Sequence, residues 1–144
     1  MTLAQKNRGN TMKKIILITA ALLLTNVFAA QAEQEVEKKE TVVALSGAFV
    51  PGGFDSKSDV YVVVSGIFPN TCYNWQGADI VQETGSNQVD ITAKALVAQG
   101  VPCMRVLVPF QKEVNLGQFP QGDYILRFSN GDGTFFNESL KIED

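Results

Sequence analysis

The side chains able to do acid–base work in the body of this chain are Asp55, Asp59, Asp79, Glu83, Asp90, Glu113, Asp123, Asp132 and Glu138, with two thiols, Cys72 and Cys103. No histidine occurs among the 144 residues. A Ser-His-Asp or Cys-His nucleophile system therefore cannot be assembled, and neither an imidazole metal site nor a histidine pH switch exists. Two cysteines alone cannot close a four-thiolate zinc site. Two carboxylates held roughly 5–10 Å apart could cleave glycosides, but no spacing in the sequence brings a pair together. Asp90 alternates with apolar neighbours and is expected to face water. The expectation is a protein that is not an enzyme and uses no metal or cofactor.

The cysteines are even in number and carry no Cys-x-x-Cys spacing, which argues for one structural disulfide, Cys72–Cys103, over a redox pair. Closing that loop is worth about 3–4 kcal/mol by loop-closure entropy. Phe68, Tyr73 and Trp75 cluster around the bridge. They either fill the end of a core or form a patch that stacks on a sugar or anchors a protein partner. Asn130-Gly131-Asp132-Gly133 lacks the spaced acids and distant glutamate of a calcium loop and is expected to be a hairpin turn. Asn137-Glu138-Ser139 also fits a glycosylation sequon, and nothing else in the chain calls for its use.

The elements that must position these residues begin after an address. Met12-Lys13-Lys14, the apolar run Ile15–Leu24 and the small-x-small end Ala30-Gln31-Ala32 predict a signal peptide over 1–32, cleaved between Ala32 and Glu33. Its strongly apolar run of ten residues is short of the roughly 20 that span a bilayer, so no membrane span is expected after cleavage. Glu33–Glu40 is predicted to be a charged, flexible segment. The domain proper is placed at 41–144, where period-two alternation and closely spaced turn residues predict strands. Thr41–Val50 reads as the first, and Asp59–Phe68 as a strand that is central or buried on both faces. Trp75–Glu83 forms a hairpin with a strand whose Val89, Ile91, Ala93, Ala95 and Val97 face inward. Met104–Val108 follows, interrupted by Pro109, then Phe110–Leu116. Tyr124, Leu126 and Phe128 alternate next, and Thr134–Glu143 closes the set. Glu138 falls on the inward side of that last strand, which requires a bulge or an end open to water. About seven strands without a helix suit two antiparallel sheets packed face to face, with a small closed barrel as the other solution.

Phe68-Pro69-Asn70-Thr71-Cys72-Tyr73, Val101-Pro102-Cys103, Val106-Leu107-Val108-Pro109-Phe110, Val114-Asn115-Leu116-Gly117 and Pro120-Gln121-Gly122-Asp123-Tyr124 come in that order. Together they resemble a family of short bacterial exported proteins that carry a single immunoglobulin-like β-sandwich domain. The resemblance runs from about Asp59 to Ile142 and implies a Greek-key sandwich and export, but no catalytic residues. Pro-x-Gly-x-Tyr also resembles the tyrosine corner of such sandwiches, which gives Tyr124 a structural role.

Residues 33–144 carry 8 basic and 15 acidic side chains, a net of −7. Such a surface repels nucleic acid and anionic lipid. The chain reads as a periplasmic or secreted binding module, or a structural or accessory module of the envelope, with a protein or carbohydrate as ligand. The alternative is an exported hydrolase inhibitor that presents Phe54–Ser58 or Gln99–Pro102 from a rigid scaffold.

Overall fold

The computed structural model describes residues 35–144. The predicted signal peptide and residues 33 and 34 lie outside the described residues. The described chain is all strand and loop: β1 (Lys38–Val42), β2 (Leu45–Phe49), β3 (Phe54–Asp55), β4 (Val60–Phe68), β5 (Tyr73–Gln82), β6 (Gln88–Ala98), β7 (Val108–Gly117), β8 (Gly122–Ser129) and β9 (Phe135–Glu143). Nine strands replace the expected seven. Two of them, β1 and β2, come from dividing the predicted Thr41–Val50 strand, and the two-residue β3 was expected to be loop.

The strands form two sheets. In the smaller one, β4 lies between β2 and β7. In the larger one, β5 flanks β6 on one side, while β1 and β8 share its other side end to end. Lys38–Val42 pairs with Lys94–Ala98, and Ile125–Ser129 pairs with Gln88–Thr92. β9 and β3 complete that sheet beyond β8. A single apolar core fills the space between the sheets. Val89, Ile91, Ala93 and Ala95 of β6 face Val60, Val62 and Val64 of β4 across this space, each fully buried. Alternation on β6 is as the sequence predicts, because this strand buries one face only. The β-branched run of β4 is central in its sheet, yet also buries one face, since Tyr61 and Ile67 are exposed.

Three departures from the sequence reading have local causes. The chain crosses between sheets at Val43–Ala44: the Val43 N–H donates to the Ala93 carbonyl of the larger sheet at 3.0 Å, whereas Leu45 already pairs with Gly66 of the smaller. Both Val43 and Leu45 are buried, so the period-two pattern runs unbroken through a change of sheet. Second, the charged Lys38–Glu40 is part of β1 rather than a flexible segment, because β6 extends to Ala98 and offers it a partner. Third, β6 with β8 and β3 with β9 pair in parallel, not antiparallel. The first arises because β7 lies in the opposite sheet, so the chain returns to β6 by a crossover.

Glu138 needs no bulge. β8 and β9 pair without a register shift, and Glu138 is exposed on a sheet edge, since β3 covers β9 only at Ile142 and Glu143. Phe135, also exposed, lies beneath the Arg127 guanidinium, 4.3 Å from its ring centroid, while Phe136 stacks on Phe128. The Asn130–Gly133 segment is a turn: the Asn130 N–H donates to the Thr134 carbonyl at 3.0 Å, and the Asp132 carboxylate accepts from the N–H and hydroxyl of Thr134.

Candidate functional site at the disulfide pole

The two ends of the sandwich differ. At one, the start of β5 and the end of β6 meet the loop over 99–107, and the Cys72–Cys103 disulfide ties that loop down with a Cα–Cα distance of 5.5 Å. Further bonds hold the same loop. The Met104 N–H donates to Thr71 Oγ1 at 3.0 Å, the Thr71 N–H donates to the Met104 carbonyl at 3.3 Å, and the Ala98 N–H donates to the Cys72 carbonyl. Asn70 Oδ1 in turn accepts the Cys72 N–H at 2.9 Å, fixing the approach to the bridge.

These tethers overturn the predicted Met104–Val108 strand. The backbone is drawn toward Thr71 and Cys72 rather than into a ladder, and β7 begins only at Val108. Pro109 then sits within β7, an edge strand, where its missing N–H leaves no central ladder bond unmade. Freed from alternation, the loop leaves its apolar side chains exposed: Met104 is 66% exposed, Val106 50% and Leu107 71%, and Ile67 of β4, opposite Pro109, is 54% exposed. Met104, Val106 and Leu107 did not stand out in the sequence, because an apolar run broken by a single charge reads as half-buried strand. The signal that separates them is Cys103 and Pro109 bracketing a run of five residues.

Phe68, Tyr73 and Trp75 come together around Phe110 at the same end of the sandwich. Phe68 is buried, and its ring stacks on Phe110 at 4.3 Å and on Tyr73 at 5.8 Å; Trp75 packs on Phe110 at 5.5 Å. Tyr73 and Trp75 are half-buried against the core, so the three close that end of the sandwich. The two loops singled out as inhibitory segments lie at opposite ends. Gln99–Pro102 leads into the disulfide pole, whereas Phe54 is buried, opens β3 and pairs with Ile142 near the far pole.

Four of the nine candidate acids are engaged by neighbours, Asp79 and Asp90 in ion pairs and Asp55 and Asp132 in turns. Asp90 does not simply face water: Arg127 Nε and Nη2 donate to its two oxygens at 2.8 and 2.7 Å. That guanidinium holds the Asp90 carboxyl below the usual carboxylate range. Lys94 bridges Asp79 on β5 at 2.5 Å and Glu40 on β1 at 2.8 Å, which raises its own pKa and lowers that of Glu40. Asp55 is lowered by the Ser58 hydroxyl and Asp132 by that of Thr134, each within its own turn. Among the described residues, no group of three or more His, Cys, Asp or Glu side chains is placed to hold a metal ion.

Opposite this pole, the Tyr124 hydroxyl donates to the Pro120 carbonyl at 3.0 Å while its ring packs edge-on against Phe119. The described chain is thus a two-sheet β-sandwich with one disulfide, whose most exposed apolar surface is a tethered loop. The family described as the ORF11 beta-sandwich domain matches residues 62–140, from β4 into β9. The chain belongs to that family. Comparison with curated proteins and with solved structures returned no match.

Proposed function

We propose that this protein is an exported, non-enzymatic bacterial binding module, periplasmic or secreted, that engages another envelope or secreted protein through its disulfide pole. The observation that carries this reading is the loop over 101–107, pinned through Cys103 yet holding Met104, Val106 and Leu107 in water. Exposed large apolar side chains on a rigid support are the usual anchor of a protein interface, since little conformational entropy is lost on docking. A carbohydrate ligand is less well supported, because the aromatic rings that would stack on sugars are engaged in the core. Export rests on the leader-like residues 1–32 and agrees with a disulfide, which persists in oxidising compartments.

The test has two parts. Intact mass of protein from the cell envelope should begin at Glu33 and lack two hydrogens, with no alkylatable thiol. A photo-crosslinker at Leu107 should then give a discrete adduct in cells, and one at Asn115 on the far stretch of β7 should not. Retention of residues 1–32, or equal labelling from both positions, would defeat the reading.

A second reading, inhibition of an exported hydrolase, is favoured by the same pinned loop offering its backbone to an active-site cleft. Stoichiometric inhibition of a secreted protease, lost on Leu107→Lys, would select it.

A further inference from the structure

Sheet edges carry unpaired N–H and C=O groups and pair with other chains unless they are guarded. Most edges of this sandwich are guarded. β2 is five residues long, with a register shift between Leu45 and Gly47. β7 has Pro109, and Lys112, on its inward side, is exposed rather than buried. β1 is short and carries Lys38, Lys39 and Glu40; β3 has two residues and covers only Ile142 and Glu143 of β9, so Phe135–Lys141 is an edge too, guarded by Glu138 on its inward side and by Lys141. β5 differs. It is ten residues long and pairs with β6 alone. Its one charge, Asp79, is already matched by Lys94. A register shift between Trp75 and Gly77 bends its first half, but Ala78–Gln82 runs on in regular pairing with β6.

From Asp79 onward the side chains along that run are exposed on both faces. Ile80 lies opposite Ile91 and points inward, yet is 38% exposed. Val81, on the outer face opposite Asp90, is 59% exposed.

We propose that β5 is a self-association edge. A second copy of this chain pairs with it, Ala78–Gln82 antiparallel to Ala78–Gln82, about a two-fold axis at Ile80. The run between the bend and the turn at Glu83 has Ile80 at its centre, so this register uses every regular position. It sets Ile80 against Ile80, Ala78 against Gln82 and Asp79 against Val81. No like charges stand opposite one another, and an isologous pair places the two overhanging isoleucines together. The edge is small compared with a permanent interface, so the dimer forms and dissociates with concentration. This edge is separate from the disulfide pole, so the two readings stand or fall independently.

Sedimentation equilibrium of the purified protein, with hydrogen exchange at matched concentrations, tests this. Weight-average mass should climb toward twice the monomer value as concentration rises, and amides in 78–82 should gain protection in step. Val81→Lys should hold the protein monomeric over the same range with unchanged circular dichroism. Phe49→Lys, on the outer face of the other sheet, should leave association intact. A monomer at every concentration overturns the proposal. So does dimerisation that protects other residues, or one that Phe49→Lys abolishes and Val81→Lys does not. Binding of an extended foreign peptide at 78–82 by a protein that stays monomeric overturns it in favour of a peptide receptor.

Discussion

Arg127 and Asp90 face each other across the parallel junction of β8 and β6, joined by two hydrogen bonds of 2.8 and 2.7 Å in the fork geometry of a guanidinium and a carboxylate. Gln88 Nε2 donates to the same carboxylate at 2.9 Å, and Phe135 packs under the guanidinium. The pair therefore favours this placement of β8 along β6, alongside the backbone ladder and the buried Val89, Ile91, Leu126 and Phe128.

This relationship sets an acid dependence. Asp90 titrates below its ordinary value because Arg127 stabilises the charged form. A carboxyl depressed on folding contributes stability that is present above the unfolded pKa, about 3.9, and is lost as pH falls through the folded value. Thermal midpoints should thus hold steady down to about pH 4 and fall below it. Asp90→Asn should lower the midpoint at neutral pH and flatten the acid slope. Part of that slope should remain, because Glu40, Asp55 and Asp132 are depressed as well. An unchanged slope in the variant would show that the pair is already broken in solution.

Removing the disulfide should cost stability without changing the fold. Cys72→Ser with Cys103→Ser opens a loop whose ends are 31 positions apart, for which loop-closure entropy gives about 3–4 kcal/mol. Denaturant unfolding should show a lower midpoint. Exchange should quicken at Thr71 and Met104 first, since their mutual hydrogen bonds depend on the tether.

Tyr124→Phe removes one hydroxyl and leaves the ring. The lost bond to the Pro120 carbonyl is worth about 1 kcal/mol, read as a small shift in the unfolding midpoint. A much larger loss would mean that the crossover between β7 and β8 depends on that bond alone.

Gly66→Ala should be far more harmful than its size suggests. A Cβ at Gly66 would lie 2.5 and 2.7 Å from Phe110 ring carbons and 2.9 Å from the Ala44 carbonyl oxygen. The ring is stacked on Phe68 and the carbonyl belongs to the sheet-crossing segment, so neither moves freely. Overpacking of this kind costs about 1–3 kcal/mol. Gly47→Ala, with its nearest atom at 3.6 Å, should be near neutral.

What was legible in the sequence follows the physics of local pattern. The face of β6, the β5–β6 hairpin, the Cys72–Cys103 bridge and the exposure of one of Phe135 and Phe136 each depend on near neighbours or on compartment, and each is found. What was not legible depends on which sheet a segment joins. Val43 and Leu45 keep the same alternation while the chain changes sheets, and Met104–Leu107 carries strand composition in a loop tied to Thr71. Asp90 has the alternation of a solvent-facing residue, and only the parallel pairing with β8 supplies its partner 37 positions away. The candidate site was half legible: the aromatic cluster was seen, and the exposed apolar loop was not.

The end-to-end placement of β1 and β8 along β6 also has a mechanical consequence. Lys38 enters opposite Ala98, at the disulfide end, while Glu143 leaves beside the start of β8, at the other end. Tension applied between the first and last strands therefore runs along the strand axes. It loads the five-residue β1–β6 ladder in shear, so its bonds must yield together instead of opening one at a time. Held by its two ends, the domain would behave as a stiff link rather than as a zipper.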